Sequence, residues 1–324
     1  MTTVGGSRAS EGLPAIHTVE LAKAYRKVVA LAGLSMTVQR GEVFGFLGPN
    51  GAGKTTAVKL LLGLARPTSG EAFVLGAPIG DLQTRKRIGY LPELFRYQDW
   101  LTAREVLALH CSLARLQRND WSVEIARALE VVGLKERSDD RVGTFSKGMQ
   151  QRLGIGVALL GRPDLVVLDE PTSALDPVGR HDVREIIRAL QRRGATVFLN
   201  SHLLTEVENV CDRVAVVNHG HVIAVNSIHE LTSDLHSVRL RFTGLDDTAL
   251  RSLHSFGAIS VSGGWYTVQG IEGGFVPDLV EAVVRLGGRV YAVEPGHQTL
   301  EQRFLELLKG SQDAGADHRA PHTV

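Results

Sequence analysis

The stretch GPNGAGKTT, residues 48–56, sets Gly48, Gly51 and Gly53 around a proline and Asn50, then follows them with Lys54, Thr55 and Thr56. Upstream, EVFGFLG (42–48) is apolar on both faces and reads as a buried strand; downstream, KTTAVKLLLGL reads as a helix that begins near Gly53. Glycines between a strand and a helix let the backbone wrap so that several N–H groups point inward at the positive end of the helix dipole. Such a cavity suits a chain of phosphates. Lys54 would neutralise the β- and γ-phosphates, and the hydroxyl of Thr55 would take a place around Mg²⁺. A flexible turn with a solvated lysine is the plainer reading, and the full GxxxxGKT spacing between strand and helix argues against it.

A second stretch, DLVVLDEPTSALDPVGR (164–180), brings Asp169 and Glu170 to the C-terminal end of another apolar strand, where ligands of open α/β sheets sit. Beside a phosphate loop the two carboxylates have distinct tasks: Asp169 holds Mg²⁺ through water, and Glu170 polarises the attacking water as general base. Taken alone, the same residues could be an acidic strand end on the surface.

The rest of the chain bounds this reading. Its 324 residues allow two domains. Lys and Arg number 36 against 35 Asp and Glu, so no broad basic surface and no nucleic acid partner is expected. Cys111 and Cys211 stand far apart, without metal or redox spacing, as in a reducing cytoplasm. The first residues lack the basic start and apolar run of a signal peptide, and no apolar run reaches the ~18 residues that span a bilayer. Residues 1–14 and the tail 311–324 are small and polar and are expected to be disordered. Between them the apolar runs at 42–48, 164–170 and 195–201 alternate with helical patterns, and helices dominate about 94–160. The pattern is an α/β domain interrupted by a helical subdomain.

FSKGMQQR (145–152) completes the set. Ser146 reads as the N-cap of the helix KGMQQRLGIGVALL, and its hydroxyl, the free N–H groups and the helix dipole form a second anion site. Together with GPNGAGKTT and LDEPTSALD, in that spacing, it resembles the nucleotide-binding subunits of ATP-binding cassette (ABC) transporters over residues 15–232. The resemblance implies the P-loop ABC cassette fold, a mixed-sheet core with a helical subdomain and an antiparallel β part, with ATP and Mg²⁺ as cofactors. It also implies a head-to-tail dimer, of identical or different cassettes, in which Ser146 and Gly148 grip the γ-phosphate of ATP on the other subunit's phosphate loop. Lys147 and Met149 depart from the family's usual signature. By the same resemblance His202, in LNSH, contacts the γ-phosphate and orients the water. Tyr25 stacks on adenine, and Asp176 lies on the loop that reaches across the dimer. Asn50, Gly51, Gly53, Lys54, Thr55 and Thr56 belong to the nucleotide cradle.

Glu93, in IGYLPE, stands where the family usually has a glutamine near the metal, the attacking water and the membrane partner. A carboxylate there adds charge close to Mg²⁺ and bears on its affinity or pH dependence. Glutamate is familiar in ABC exporters whose permease is a separate chain. The segment LFRYQDWLT after it, with exposed-looking Phe95, Tyr97 and Trp100, falls where the family docks the permease; a hydrophobic patch joining subdomains is the alternative. The expected function is the ATPase subunit that drives a separate permease from the inner face of the cell membrane, exporting a drug, lipid or polysaccharide-like substrate. A soluble cassette ATPase on ribosomes or DNA is a rival class, as is a metabolite-sensing regulatory ATPase. The rival sensor would use residues 236–310. There VRLRF, DDTALRSLHSF, AISVS, WYTVQ, FVPDLVEAVVRLGG and RVYAV alternate as β-α-β-β-α-β before a last helix, TLEQRFLELL, matching a small ferredoxin-like α+β domain, with a hairpin across Gly263 and Gly264.

Overall fold

The computed structural model describes residues 12–316 apart from 174 and 272. It divides into two compact units: one runs to Asn226 and takes up the chain again from Leu307, the other is Ser227–Glu306.

The first unit opens with β1 (Ile16–Tyr25) and β2 (Val28–Val38), an antiparallel pair. Then come β3 (Val43–Leu47), α1 (Lys54–Leu61), β4 (Ser69–Val74), β5 (Ala77–Pro78), α2 (Leu82–Arg85) and β6 (Ile88–Leu91). Three helices follow and pack on one another: α3 (Ala103–Leu113), α4 (Trp121–Val131) and α5 (Lys147–Ala158). The chain returns to the sheet through β7 (Leu165–Asp169), α6 (Pro177–Arg192), β8 (Thr196–Asn200), α7 (Leu204–Val210), β9 (Arg213–Asn218) and β10 (His221–Ser227). The strands form one sheet in the order β5-β4-β1-β2-β10-β9-β3-β8-β7-β6. From β9 to β6 the neighbours are parallel, whereas β1, β2, β4 and β5 pair antiparallel.

Burial explains why these runs are strands. Every residue of β3, β7 and β8 is buried, as a parallel strand covered on both faces requires. Phe198 of β8 lies between Phe44 and Phe46 of β3, with ring centroids 6.1 and 5.4 Å away. Each such fully buried phenyl contributes roughly 1.5–3 kcal/mol of transfer free energy. Helix starts are equally local: Thr102 and Glu105 close a capping box on α3, and Asp176 caps α6 with Pro177 in its first turn.

The second unit contains α8 (Ile228–Thr232), β11 (Ser233–Thr243), α9 (Asp247–Ser252), β12 (Ala258–Ser262), β13 (Trp265–Gln269), α10 (Val276–Arg285), β14 (Arg289–His297) and the first turns of α11 (Leu300–Ala316). Its four strands are antiparallel in the order β12-β13-β11-β14. Gly263 and Gly264, at φ 57° and 79°, make the turn that joins Ser262 to Trp265, a conformation that L side chains resist. Val238, Leu240 and Phe242 of β11 pack with Leu279 and Val283 of α10 to form this unit's own core.

Three expectations are corrected here. Residues 311–316, expected to be disordered, continue α11. The division between units falls at Ser227 rather than after residue 232, since α8 is tied to the second unit by the Gln298 N–H donating to the Thr232 carbonyl at 2.9 Å. Phe95 and Tyr97 are not surface aromatics: their rings meet at 5.4 Å, Tyr97 takes His110 edge-on at 5.7 Å, and Phe95 lies against Gly154. Burial pushes the Tyr97 phenol well above its ordinary range. Leu94 and Trp100 are the exposed pair, at 88% and 70%. Among the described residues no helix is long and apolar enough to cross a membrane.

Candidate functional site

The phosphate loop leaves the C-terminal end of β3. Gly53, the N-cap of α1, has φ 99°, and a Cβ there would collide with the Ala30 carbonyl, so glycine is required twice over. The Ala52 N–H donates to the Pro49 carbonyl at 3.1 Å, while those of Gly51 and of Gly53 to Thr56 have no partner among the described residues. Free donors at a helix N-terminus form an anion cradle. The Lys54 ammonium is buried and donates to the Gly48 carbonyl at 2.8 Å and the Pro49 carbonyl at 3.3 Å. Burial lowers its pKa, opposed by the charges of Glu170, Asp169 and Glu93.

Strands β7 and β8, next in the sheet, bring the acids and the imidazole to the same edge. Asp169 pairs with Asn200 in the register, and the Asn200 amide donates to the Asp169 carboxylate at 2.5 Å. Asp169 is itself buried, and burial raises its pKa; Glu93 and Glu170 push the same way, while the Asn200 hydrogen bond and Lys54 oppose. Glu170 is held in the left-handed region, φ 51°, its N–H donating to the Asn200 carbonyl at 2.8 Å. A non-glycine residue there stores strain, which here turns the carboxylate back over the strand end. The Glu170 carboxylate accepts from His202 Nδ1 at 2.7 Å, which leaves Nε2 of the half-exposed ring free for another partner.

A cavity of about 430 Å³ gathers these groups: Asn50, Gly51, Gly53, Lys54, Thr55 and Thr56 from the loop, with Glu93, Glu170, Asn200 and His202. Its oxygen donors, the Thr55 hydroxyl and the carboxylates, suit a hard cation such as Mg²⁺. No three acidic, histidine or cysteine side chains among the described residues could hold a metal by themselves. Water and phosphate would have to complete the shell, as Mg²⁺ prefers.

Comparison with known proteins gives the family. The chain is 38% identical to an uncharacterized ABC transporter ATP-binding protein of Nostoc sp. over 303 residues, 91% of this chain and 90% of that protein. It belongs to the ATP-binding subunits of ABC transporters. A family profile described as ABC transporter matches residues 31–173, and one described as an AAA domain matches 141–208. The chain is also similar to the linearmycin resistance ATP-binding protein of Bacillus subtilis, 36% identical over 76% of this chain and 80% of that one. The Nod factor export ATP-binding protein I of Rhizobium sp. is 39% identical over 68% and 73%. A solved ATP binding subunit of an ABC transporter superposes with a TM-score of 0.60 at 29% identity, over 67% of this chain and 91% of that one. As an ABC ATPase, the protein hydrolyses ATP to drive transport.

Not every predicted residue of the ABC ATPase lines this cavity. Ser146, Gly148 and Asp176 line another, of about 330 Å³, and the two cavities share no residue. In that second cavity Ser146 caps α5, accepting from the Met149 N–H at 3.2 Å. Asp176 caps α6, accepting from the Gly179 N–H at 2.7 Å, so within one chain it is a helix cap. Tyr25 lies outside both linings, 46% exposed at the end of β1, with the Lys23 ammonium 4.9 Å from its ring centroid. Val28, Val29 and Ala30 of β2 line the phosphate cavity in its place, and the sequence reading missed them along with Asn200. Asn200 had a signal: a polar residue closing the apolar run TVFLN, two positions before His202.

The sequence also hid the support of His202. Along α6, Arg184 donates to the buried Glu206 carboxylate at 3.2 Å, Arg188 to the Asn209 carbonyl at 3.1 Å and Gln191 to Asp212 at 2.7 Å. Asp212 in turn accepts from the Val43 N–H at 2.8 Å, at the start of β3. This polar ladder ties α6, which Asp176 caps, to α7, which starts two residues after His202.

Proposed function

We propose that two cassettes bind head to tail, identical chains or this one with another cassette, and enclose ATP between the phosphate cavity of one and the signature cavity of its partner. The separation of the two half-sites on one chain is the observation that carries this reading. The β- and γ-phosphates lie under Lys54 and the N–H groups of residues 51–56, with Gly48 and Asn50 shaping the loop. The adenine rests near Val28 to Ala30 with Tyr25 over it. Thr55, Asp169 and Glu93 are the residues that would hold Mg²⁺, Asp169 through water, and the ion would supply charge neutralisation at the β- and γ-phosphates. Glu170 accepts the proton of the attacking water. His202, bound to Glu170 through Nδ1, orients that carboxylate and offers Nε2 to the γ-phosphate. Ser146 and Gly148 of the partner cassette contact the γ-phosphate from the other side, beside the loop that carries Asp176. Loss of that phosphate removes what the two halves share and lets them part.

The cassette drives a separate membrane permease and works in the cytoplasm, against the inner face of the membrane. Leu94 and Trp100, exposed just after Glu93, are the contact through which the permease senses the site. Export is the direction favoured by Glu93 and by the relatives named for linearmycin resistance and Nod factor export. The cargo class is a drug, a lipid or a polysaccharide-like molecule. Residues 15–226 form the cassette, and the unit Ser227–Glu306, with strand order β12-β13-β11-β14, is an accessory ferredoxin-like domain. Purification of the tagged protein from its host's membranes in mild detergent tests the reading. Recovery of a multi-helix membrane protein is expected; ribosomal or DNA-repair proteins in its place would overturn it.

A further inference from the structure

The sheet of the second unit carries a cavity that ATP chemistry leaves unused. Val238, Leu240 and Phe242 of β11 turn to the helices, so Ser237 and Arg239 face the other way. The strand register sets Gln269 beside Ser237 and Thr267 beside Arg239. These four line a cavity of about 430 Å³ with Trp265, and the first turns of α11 close it.

Among the described residues, the strand side chains that line it make no hydrogen bond within the fold. Ser237 is 8% exposed, yet its hydroxyl has no hydrogen-bond partner among the described residues, and neither do the side chains of Thr267 and Gln269. Gly296 lies so close that a Cβ there would overlap the Ser237 hydroxyl, which keeps this wall open. Arg239 rests 4.7 Å from the Trp265 ring centroid, and its one ion pair, to Glu294, is loose at 4.0 Å. A guanidinium steadied on an indole keeps its N–H edge for a planar anion. The carboxylate of Glu306, also in the lining, is matched by Arg303 at 2.8 Å and does not cancel Arg239. Polar side chains with no partner of their own, converging on one cavity beside a guanidinium held on an indole, form a ligand site.

We propose that this cavity binds a small organic anion rich in hydroxyl groups, a sugar acid or sugar phosphate. Its carboxylate or phosphate meets Arg239, and its hydroxyls meet Ser237, Thr267 and Gln269. Titration calorimetry on the full chain tests this, with the phosphate loop filled by ADP so that it takes no second anion. The probes are D-gluconate, D-glucose 6-phosphate and uncharged D-glucose. Both anions are expected to bind saturably, and glucose about tenfold or more weakly. Arg239→Met weakens the anions by about tenfold, and Thr267→Val, nearly the same shape, weakens both anions and glucose by a few-fold. ADP affinity stays unchanged in both variants, which shows that each has folded. No saturable heat from either anion, or anion binding untouched by both substitutions, overturns the proposal.

Discussion

The phosphate cavity and the signature cavity handle charge in opposite ways. Around Lys54 one buried cation faces Asp169, Glu170 and Glu93, and burial works against both signs, lowering the lysine and raising Asp169. At Ser146 the site is a capped helix N-terminus lined by two cations and two anions, Lys147, Arg152, Asp176 and Asp182, of which Arg152 and Asp182 pair at 3.7 Å. The first half carries strain at Glu170 and a buried carboxyl at Asp169 whose pKa burial raises. The second is a neutral anion receptor with nothing to react. On the proposed reading, binding and bond breaking reside on one half and closure on the other, so substitutions should separate them.

The largest separation is expected at Glu170. Glu170→Gln keeps the shape and the contact with His202 but removes the base, so hydrolysis falls by about 10²–10⁴-fold while ATP affinity holds, read by single-turnover and equilibrium binding together. Lys54→Ala comes next: with a buried charge removed from the cradle, ATP affinity itself drops by on the order of 10²-fold in a nucleotide-binding assay. Ser146→Ala is milder. Loss of the cap lowers stability by about 1 kcal/mol, and hydrolysis falls roughly tenfold with the ATP affinity of the isolated chain unchanged. A drop in that affinity would erase the contrast between the two halves.

Asp169→Asn shifts stability in the opposite direction from Ser146→Ala. A buried carboxyl whose pKa is raised favours the folded state at low pH and loses that contribution as pH rises through the folded value. The amide has no charge to bury, so the variant should be more stable than the parent at neutral pH, by on the order of 1 kcal/mol. That gain should vanish as pH falls below the carboxylate range, as followed by thermal melts against pH. Activity is lost in the same variant, the usual exchange of stability for a strained site.

Much of this was legible in the sequence because it is local. Strand, glycine loop and helix lie within residues 42–61, and the five-residue runs of β7 and β8 are apolar but for Asp169, Thr196 and Asn200 at their ends, so their buried, parallel character needs no tertiary knowledge. The hairpin at Gly263 and Gly264 was legible for the same reason. What stayed hidden depends on pairing across the chain. The Asn200–Asp169 bond joins residues 31 apart through the β7–β8 register, and the α6–α7 ladder appears only when two helices lie side by side. Phe95 and Tyr97 were misread because a loop has no period to reveal which way a ring turns; Gly154 supplies the space that Phe95 fills.

The central claim is that one chain holds two half-sites that become whole only across a dimer. Light scattering of Glu170→Gln with and without ATP and Mg²⁺ tests it most directly, with Glu170→Gln/Ser146→Arg as the partner variant. The account predicts a monomer without nucleotide, a dimer with ATP, and a return to monomer when the bulky Ser146→Arg blocks the signature cavity. A Glu170→Gln chain that binds ATP and stays monomeric, or a dimer indifferent to Ser146→Arg, would contradict it.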